Sequence, residues 1–416
     1  MGQSFRFRLL TSCVVAGAAV AGFFGLEGPA GPAERAAPSH PVYHADPQHL
    51  WNRLHAALFT RIGPDGHTYG RDRIEPLLWL GSRHLLQGPS HERAVQLLNE
   101  FLARQGEEQV GDPLKRALLQ RDLWMVYSWL EGDHAHGGNS GVPAEKLGQA
   151  RQRLGRPLAA AIRRLALSPE QIQKLPDTYA DAVKSGRFAR SPAAERPDKP
   201  YLPPDLFAAD GPWVGVGRAG GPVATQHLAK ENTLANSAFL IFLRLPGGRA
   251  AARRFLARGT DTLPAGAEVA LVRRALLVAA PGEVAPTRLI ESVQLRIYGE
   301  TGQAVSEFRL CRGLLFGGRA GGLRAVGPKE RDFKTGFAGS TWDPLEEPLV
   351  RQELTVRQLD IRNECTGCHN RDRFPGLRAR ESGPLVGVAV ADAIKTAVQW
   401  KRQRPDWKAL RKLLAK

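Results

Sequence analysis

The sequence predicts an α+β protein whose helices and strands are segregated along the chain, and its spacing of apolar residues is the main reason. Apolar residues recur three and four apart through residues 38–190, alternate with polar ones through 213–326, and return to helical spacing toward the end of 327–416. Between the first two stretches, residues 191–212 hold Pro192, Pro197, Pro200, Pro203, Pro204 and Pro212. Neither a helix nor a central strand tolerates that density, so a linker or extended surface strap is expected there. With 416 residues, 43% hydrophobic and 24% charged, the chain can bury a real core, which excludes a mainly disordered protein.

Residues 1–37 open with Arg6 and Arg8 and then run from residue 9 to 26 without a charge. This charged-then-apolar plan is that of an export signal, cleaved near Gly28, Ala30, Ala33, Ala36 or Ala37, or kept as an N-terminal anchor. Leu10-Thr11-Ser12-Cys13 has the form of a lipoprotein site but precedes the apolar run instead of following it. No later stretch is long and apolar, so membrane association is expected only through this segment. The expected location is the periplasm or envelope of a bacterium.

In the helical region Leu50, Leu54 and Leu58 form one stripe, and Leu114, Leu118, Met125 and Trp129 another. Ser90-His-Glu-Arg and Ser168-Pro-Glu read as caps with a first helical turn. The strands are expected at 238–245, 268–278, 292–298 and 307–311, with a helix over 248–258 between the first two. In Val293-Gln-Leu-Arg-Ile-Tyr the alternation is that of a half-buried strand, and Gly299-Glu-Thr-Gly reads as an antiparallel turn. Cys311 reads as a small core side chain on a strand. At the C-terminus Val390, Ile394 and Val398 share a helical face, and Trp407, Leu410 and Leu414 continue it past Pro405.

Lys and Arg number 58 against 41 Asp and Glu, a net charge of +17. Acidic partners are favoured. Lys401, Arg402, Arg404, Lys408, Arg411 and Lys412 read as a positive patch for one, and no aromatic-basic motif points to nucleic acid. Gly215-Val-Gly217-Arg-Ala-Gly220 matches the dinucleotide fingerprint in letters only, because Pro212 and Pro222 flank it where a buried strand and a helix are needed; a glycine-rich loop or strand edge is expected. Four cysteines are too few for a disulfide-stapled fold.

Two of them carry the chemistry. Cys365-Thr366-Gly367-Cys368-His369 is the attachment pattern for one covalent haem c: two thiols three residues apart each form a thioether with a vinyl group, and the adjacent imidazole falls under the iron. Half a zinc site lacks its second ligand pair, and a thioredoxin-like pair lacks its βαβ setting, the polar Asn370-Arg-Asp-Arg-Phe-Pro following instead. The pentapeptide resembles that of c-type cytochromes, and the rest of the chain resembles exported bacterial proteins ending in such a motif. The resemblance implies that the protein transfers electrons, with residues 327–416 as the haem c segment, and the basic surface favours an acidic redox partner.

One departure from that family stands out. Neither Met nor His follows His369, and the chain's only methionines are Met1 and Met125. The ligand opposite His369 therefore comes from upstream or from another chain, or is absent. Met125 and His227 are the upstream candidates, each set against a plainer reading: a core methionine, and a surface or structural histidine. His84 and His91 flank a helix boundary, His134 and His136 sit in a Gly-rich polar loop, and His67 has no evident partner. Two alternatives to electron transfer stand: a peroxidase-like haem enzyme with an open distal face, and an envelope binding or sensor module with a structural haem.

Overall fold

The computed structural model describes residues 42–62, 68–72, 84–132, 144–218, 221–223, 236–259, 262–300, 302–327, 330 and 385–415. Helix α1 (Leu50–Phe59) buries the predicted stripe of Leu50, Leu54 and Leu58. A short antiparallel pair follows, β1 (Arg61–Ile62) with β2 (Thr68–Tyr69). Helix α2 (Gly88–Ala103) starts before the expected Ser90 cap, because Pro89 suits the first turn, where its missing N–H costs nothing. Then come α3 (Pro113–Leu130), α4 (Ala144–Arg164), α5 (Pro169–Gln173) and α6 (Thr178–Lys184). Ser168 caps α5 as expected, accepting from Gln171 N while the Gln171 side chain bonds back to the cap.

The four predicted strands are present as β4 (Ser237–Arg244), β5 (Glu268–Ala279), β6 (Glu283–Tyr298) and β7 (Gln303–Leu310), and the sheet also holds β3 (Val214–Arg218), over the glycine-rich stretch, and two strands the sequence reading did not mark, β8 (Leu323–Ala325) and β9 (Leu385–Val388). Helix α7 (Gly248–Arg258) lies between β4 and β5 as the sequence predicts, and α8 (Arg312–Phe316) joins β7 to β8. Gly299 N donates to Gly302 O at 2.6 Å and closes the β6–β7 hairpin at the expected turn. The seven strands run in the order β8-β7-β6-β5-β4-β3-β9, every pair antiparallel. The chain ends in α9 (Val390–Gln403) and α10 (Pro405–Leu414). No helix among the described residues is long and apolar enough to cross a membrane.

The first face of the sheet, marked by Leu240, Val272, Val293 and Phe308 in register, lies under α3, α5, α6 and α9. The second face carries Val214, Val216, Leu243, Val269 and Tyr298, which pack with Ala252 and Leu256 of α7. One hydrophobic core runs from Tyr43 to Leu414 and crosses the divisions drawn in the sequence near 190, 212 and 326. The Pro-rich stretch is part of it. Leu202 and Leu206 are buried, Phe207 stacks edge-on with Phe242 of β4, and Tyr201 Oη donates to Glu268 Oε2 at 2.9 Å. Prolines here hold an extended strap against the sheet, which needs shape and no ladder hydrogen bonds.

Helix α3 departs most from its pattern. An amphipathic helix with one apolar stripe is expected, yet every residue from Ala117 to Leu130 is buried, Gln120, Arg121, Asp122 and Ser128 included. Each of these polar groups is used as a tie, as burial demands. Gln120 accepts from Val278 N at 3.0 Å and donates to Val278 O at 2.7 Å, locking the end of β5 to α3. Asp122 pairs with Arg312 of α8, and Arg121 with Glu291 of β6.

Candidate functional site

Cys365, Cys368, His369 and His227 lie outside the described residues, as do His67, His134 and His136. The described fold fixes both ends of the stretch that carries the cysteine pair. It leaves the sheet after β8, one edge strand, and returns as β9, the opposite edge strand. Six interstrand steps at about 4.8 Å separate the two edges, roughly 29 Å.

The β9 anchor explains the glycines of the apparent dinucleotide fingerprint. Gly215 and Gly217 stand on strand β3, paired with Val388 and Val386. A Cβ on Gly215 would meet Val388 O at 2.6 Å, and one on Gly217 would meet Val388 Cγ1 at 2.4 Å. These glycines admit a neighbouring strand; the stretch expected to be a glycine-rich loop or strand edge starts as strand β3, which lies inside the sheet between β4 and β9. Gly215→Ala is expected to push β9 away and to destabilise the fold by about 1–3 kcal/mol. Hydrogen exchange should quicken at the amides of 385–388; protection equal to the wild type's would contradict the close approach.

Met125 sits on α3 with none of its surface exposed, and its Sδ accepts from Arg121 Nη1 at 3.6 Å. Arg121, Met125 and Ser128 share one helical stripe. Arg121 Nε donates to Glu291, which also takes Ser237 Oγ–H and, at 3.2 Å, Arg273 Nη2. Glu291 reaches this position through a bulge: Arg273 pairs with Ser292 and Arg274 with Ile290, which leaves Glu291 out of the ladder and re-aims it. Burial raises the Glu291 carboxyl, but the two guanidiniums outweigh it and hold the group below the usual carboxylate range.

One turn further, Ser128 Oγ lies 3.0 Å from Asn236 Oδ1 and 2.9 Å from Asp406 Oδ2. One hydroxyl proton cannot serve both. With the Asn236 amide turned, its otherwise unbonded Nδ2 donates to Ser128, Ser128 donates to Asp406, and the chain ends on Lys401 Nζ at 2.5 Å from Asp406. This relay ties α3, α9 and α10 to the start of β4. It also takes Lys401 and Arg404 out of the basic patch read at the C-terminus, while Arg402, Lys408, Arg411 and Lys412 stay exposed. Lys401 is fully buried, Arg404 pairs with Asp406, and Arg402 and Arg411 pair with Glu283, all because the C-terminal helices fold back onto the core.

His84 and His91 are buried at the start of α2, where His91 Nδ1 lies 2.8 Å from Leu85 O. Cys311 is buried at the end of β7, its Sγ 3.1 Å from Arg324 Nε. Sequence reasoning passed over Arg296, which alternation assigns to the polar side of β6. It is 4% exposed, and its Nη1 has no hydrogen-bond partner. A long charged residue inside a strand flanked by Val, Leu, Ile and Tyr is the signal that marks it. Among the described residues no three His, Cys, Asp or Glu side chains converge as metal ligands.

No family model, no curated protein and no solved structure matches this chain.

Proposed function

We propose that the chain is an exported monohaem c-type cytochrome-like protein that carries electrons. One observation carries this reading, the Cys365-Thr-Gly-Cys368-His369 sequence, whose two thiols and imidazole make the donor set of a covalent haem. Cys365 and Cys368 hold the ring and His369 the iron, which when bound supplies a ferric–ferrous couple. The charged and apolar opening of residues 1–37 supports delivery outside the cytoplasm, where the attachment is made. The cysteine pair lies in the sequence between β8 and β9, and of the segment 327–416 the parts β9, α9 and α10 belong to the sheet and the common core. Arg253, Arg254 and Arg258 stand exposed on α7, a helix without an acidic residue, and favour an acidic redox partner.

Haem staining of the denatured, exported protein tests the proposal. The wild type is expected to stain and Cys368→Ala to lose covalent haem; staining that survives the substitution refutes it.

A second reading, an open distal face with peroxidase-like chemistry, gains from one observation. Met125 Sδ is enclosed in α3 and already bonded to Arg121, so using it as an iron ligand would mean unpacking the central helix. Rapid cyanide binding to the ferric protein is the expected mark of that reading, and a ligand-inert low-spin spectrum that of electron transfer.

A further inference from the structure

Most exposed arginines of the described helices are answered by an acid of the same fold. Arg153 pairs with Glu92, Arg164 with Glu107, and Arg402 and Arg411 share Glu283. Helix α7 is the exception. Its sequence, Gly-Arg-Ala-Ala-Ala-Arg-Arg-Phe-Leu-Ala-Arg, holds no acidic residue, and Arg253, Arg254 and Arg258 are exposed without an ion pair among the described residues. Arg254 and Arg258 stand four apart on one stripe, where like charges repel and cost the helix stability. Nothing within the described fold repays that cost.

The helix is held in place, so its outer face is a fixed surface. Ala252 and Leu256 are buried in the core on the second face of the sheet, Phe255 packs half-buried beside them, and α7 rests on β3, β4 and β9. Arg249 Nη1 donates to Gly211 O at 3.0 Å and to Trp213 O at 2.8 Å, which pins the first turn to the end of the Pro-rich strap. The residues left exposed are Ala250, Arg253, Arg254, Ala257 and Arg258: three guanidiniums with two small side chains between them.

The chemistry of that face separates the classes of anionic partner. A helix that lies on a bilayer turns an apolar face to the lipid. Ala252, Phe255 and Leu256 are already spent on the core, and two alanines offer little to insert. Stacking on single-stranded nucleic acid needs exposed aromatic rings, and the one aromatic of α7, Phe255, is half-buried. A guanidinium fork, in contrast, matches a carboxylate with two parallel hydrogen bonds, and close approach is open beside Ala250 and Ala257.

Resting on the electron-carrier reading above for what the partner does, we propose that the outer face of α7 is the docking surface for an acidic protein, whose carboxylates are taken up by the forks of Arg253, Arg254 and Arg258. The C-terminal lysines add to the field that steers the encounter but do not set the docked position.

The full-length exported chain, a polyglutamate peptide as probe, and three triple variants test this. Arg253→Gln with Arg254→Gln and Arg258→Gln is expected to weaken binding about tenfold, the sum of three exposed pairs. Lys174→Gln with Lys408→Gln and Lys412→Gln removes the same charge from other exposed positions and should change binding far less. Replacing the three α7 arginines by lysine keeps the charge and loses the forks, so its affinity should fall between the two. Equal losses in the two Gln triples would reduce the effect to net charge and overturn the proposal. So would a lysine triple that binds like the wild type, a result that decides even if the α7 Gln triple does not fold. Phosphatidylglycerol vesicles or a DNA duplex bound more tightly than polyglutamate through the same arginines would overturn it in favour of lipid or nucleic acid. Haem staining of the same material is a separate readout: a chain without haem refutes the electron-carrier reading, while the docking surface stands or falls on these affinities.

Discussion

Asp122→Ala is expected to destabilise the fold by about 3–5 kcal/mol, because it strands a buried cation. Arg312 Nη2 reaches the two oxygens of Asp122 at 2.6 and 2.5 Å, and both side chains are 1% exposed. Tyr43 Oη donates to the same carboxylate at 2.9 Å and would lose its acceptor as well. Burial and then the Asp122 charge raise the Tyr43 hydroxyl well above the usual phenol range, which favours the neutral donor form. Arg312 is held well above its usual range: burial opposes its charge, but Asp122 and Tyr43 outweigh that cost. Urea unfolding of Asp122→Ala should show a lower midpoint with the slope unchanged. The double variant Asp122→Leu with Arg312→Met is expected to recover most of the loss, since two apolar groups replace a pair that repays its own desolvation poorly. A single variant within about 1 kcal/mol of the wild type would mean that the pair is hydrated.

Glu291→Gln is expected to be nearly as damaging, and its effect to depend on pH. Two guanidiniums, Arg121 and Arg273, converge on this carboxylate, and the substitution removes the charge that balances both. A loss of about 3–5 kcal/mol is expected at pH 7. The Glu291 carboxyl is depressed in the folded protein relative to a free glutamate near pKa 4.3. Its contribution is therefore present above about pH 4.3 and fades as pH falls through the lower folded value. Stability curves of wild type and Glu291→Gln should be parallel near neutrality and converge in acid; a gap that widens below pH 4 would reverse the sign and remove the argument.

Much of the fold was legible because its signals are local. Alternation marked β4 to β7, the helix over 248–258 came out as α7, and the Ser168 cap and the Gly299 turn were read from their own neighbours. The roles of polar residues were not legible. Gln294 and Arg296 alternate as a solvent-facing pair should, yet Arg296 is buried, because what lies over a sheet face is decided by chain far away in sequence. Lys401 and Arg404 read as a surface patch, while Asp406 and the packing of Trp407 on Trp124 draw that turn into the core. The burial of Arg121 and Asp122 gave no sequence signal either, their partners Glu291 and Arg312 lying 170 and 190 residues away.

The sequence by itself determined the order of helical, Pro-rich and β segments and the cysteine pair with its histidine, since periodicity and a five-residue spacing are properties of neighbours. Only the tertiary structure decided that the segments share one core, that the stretch bearing Cys365 and Cys368 begins and ends at opposite edges of one sheet, and that Met125 is already bonded. The reason is physical. A buried charge or an edge strand is defined by what packs against it, and those partners are brought together by folding from positions that no local pattern connects.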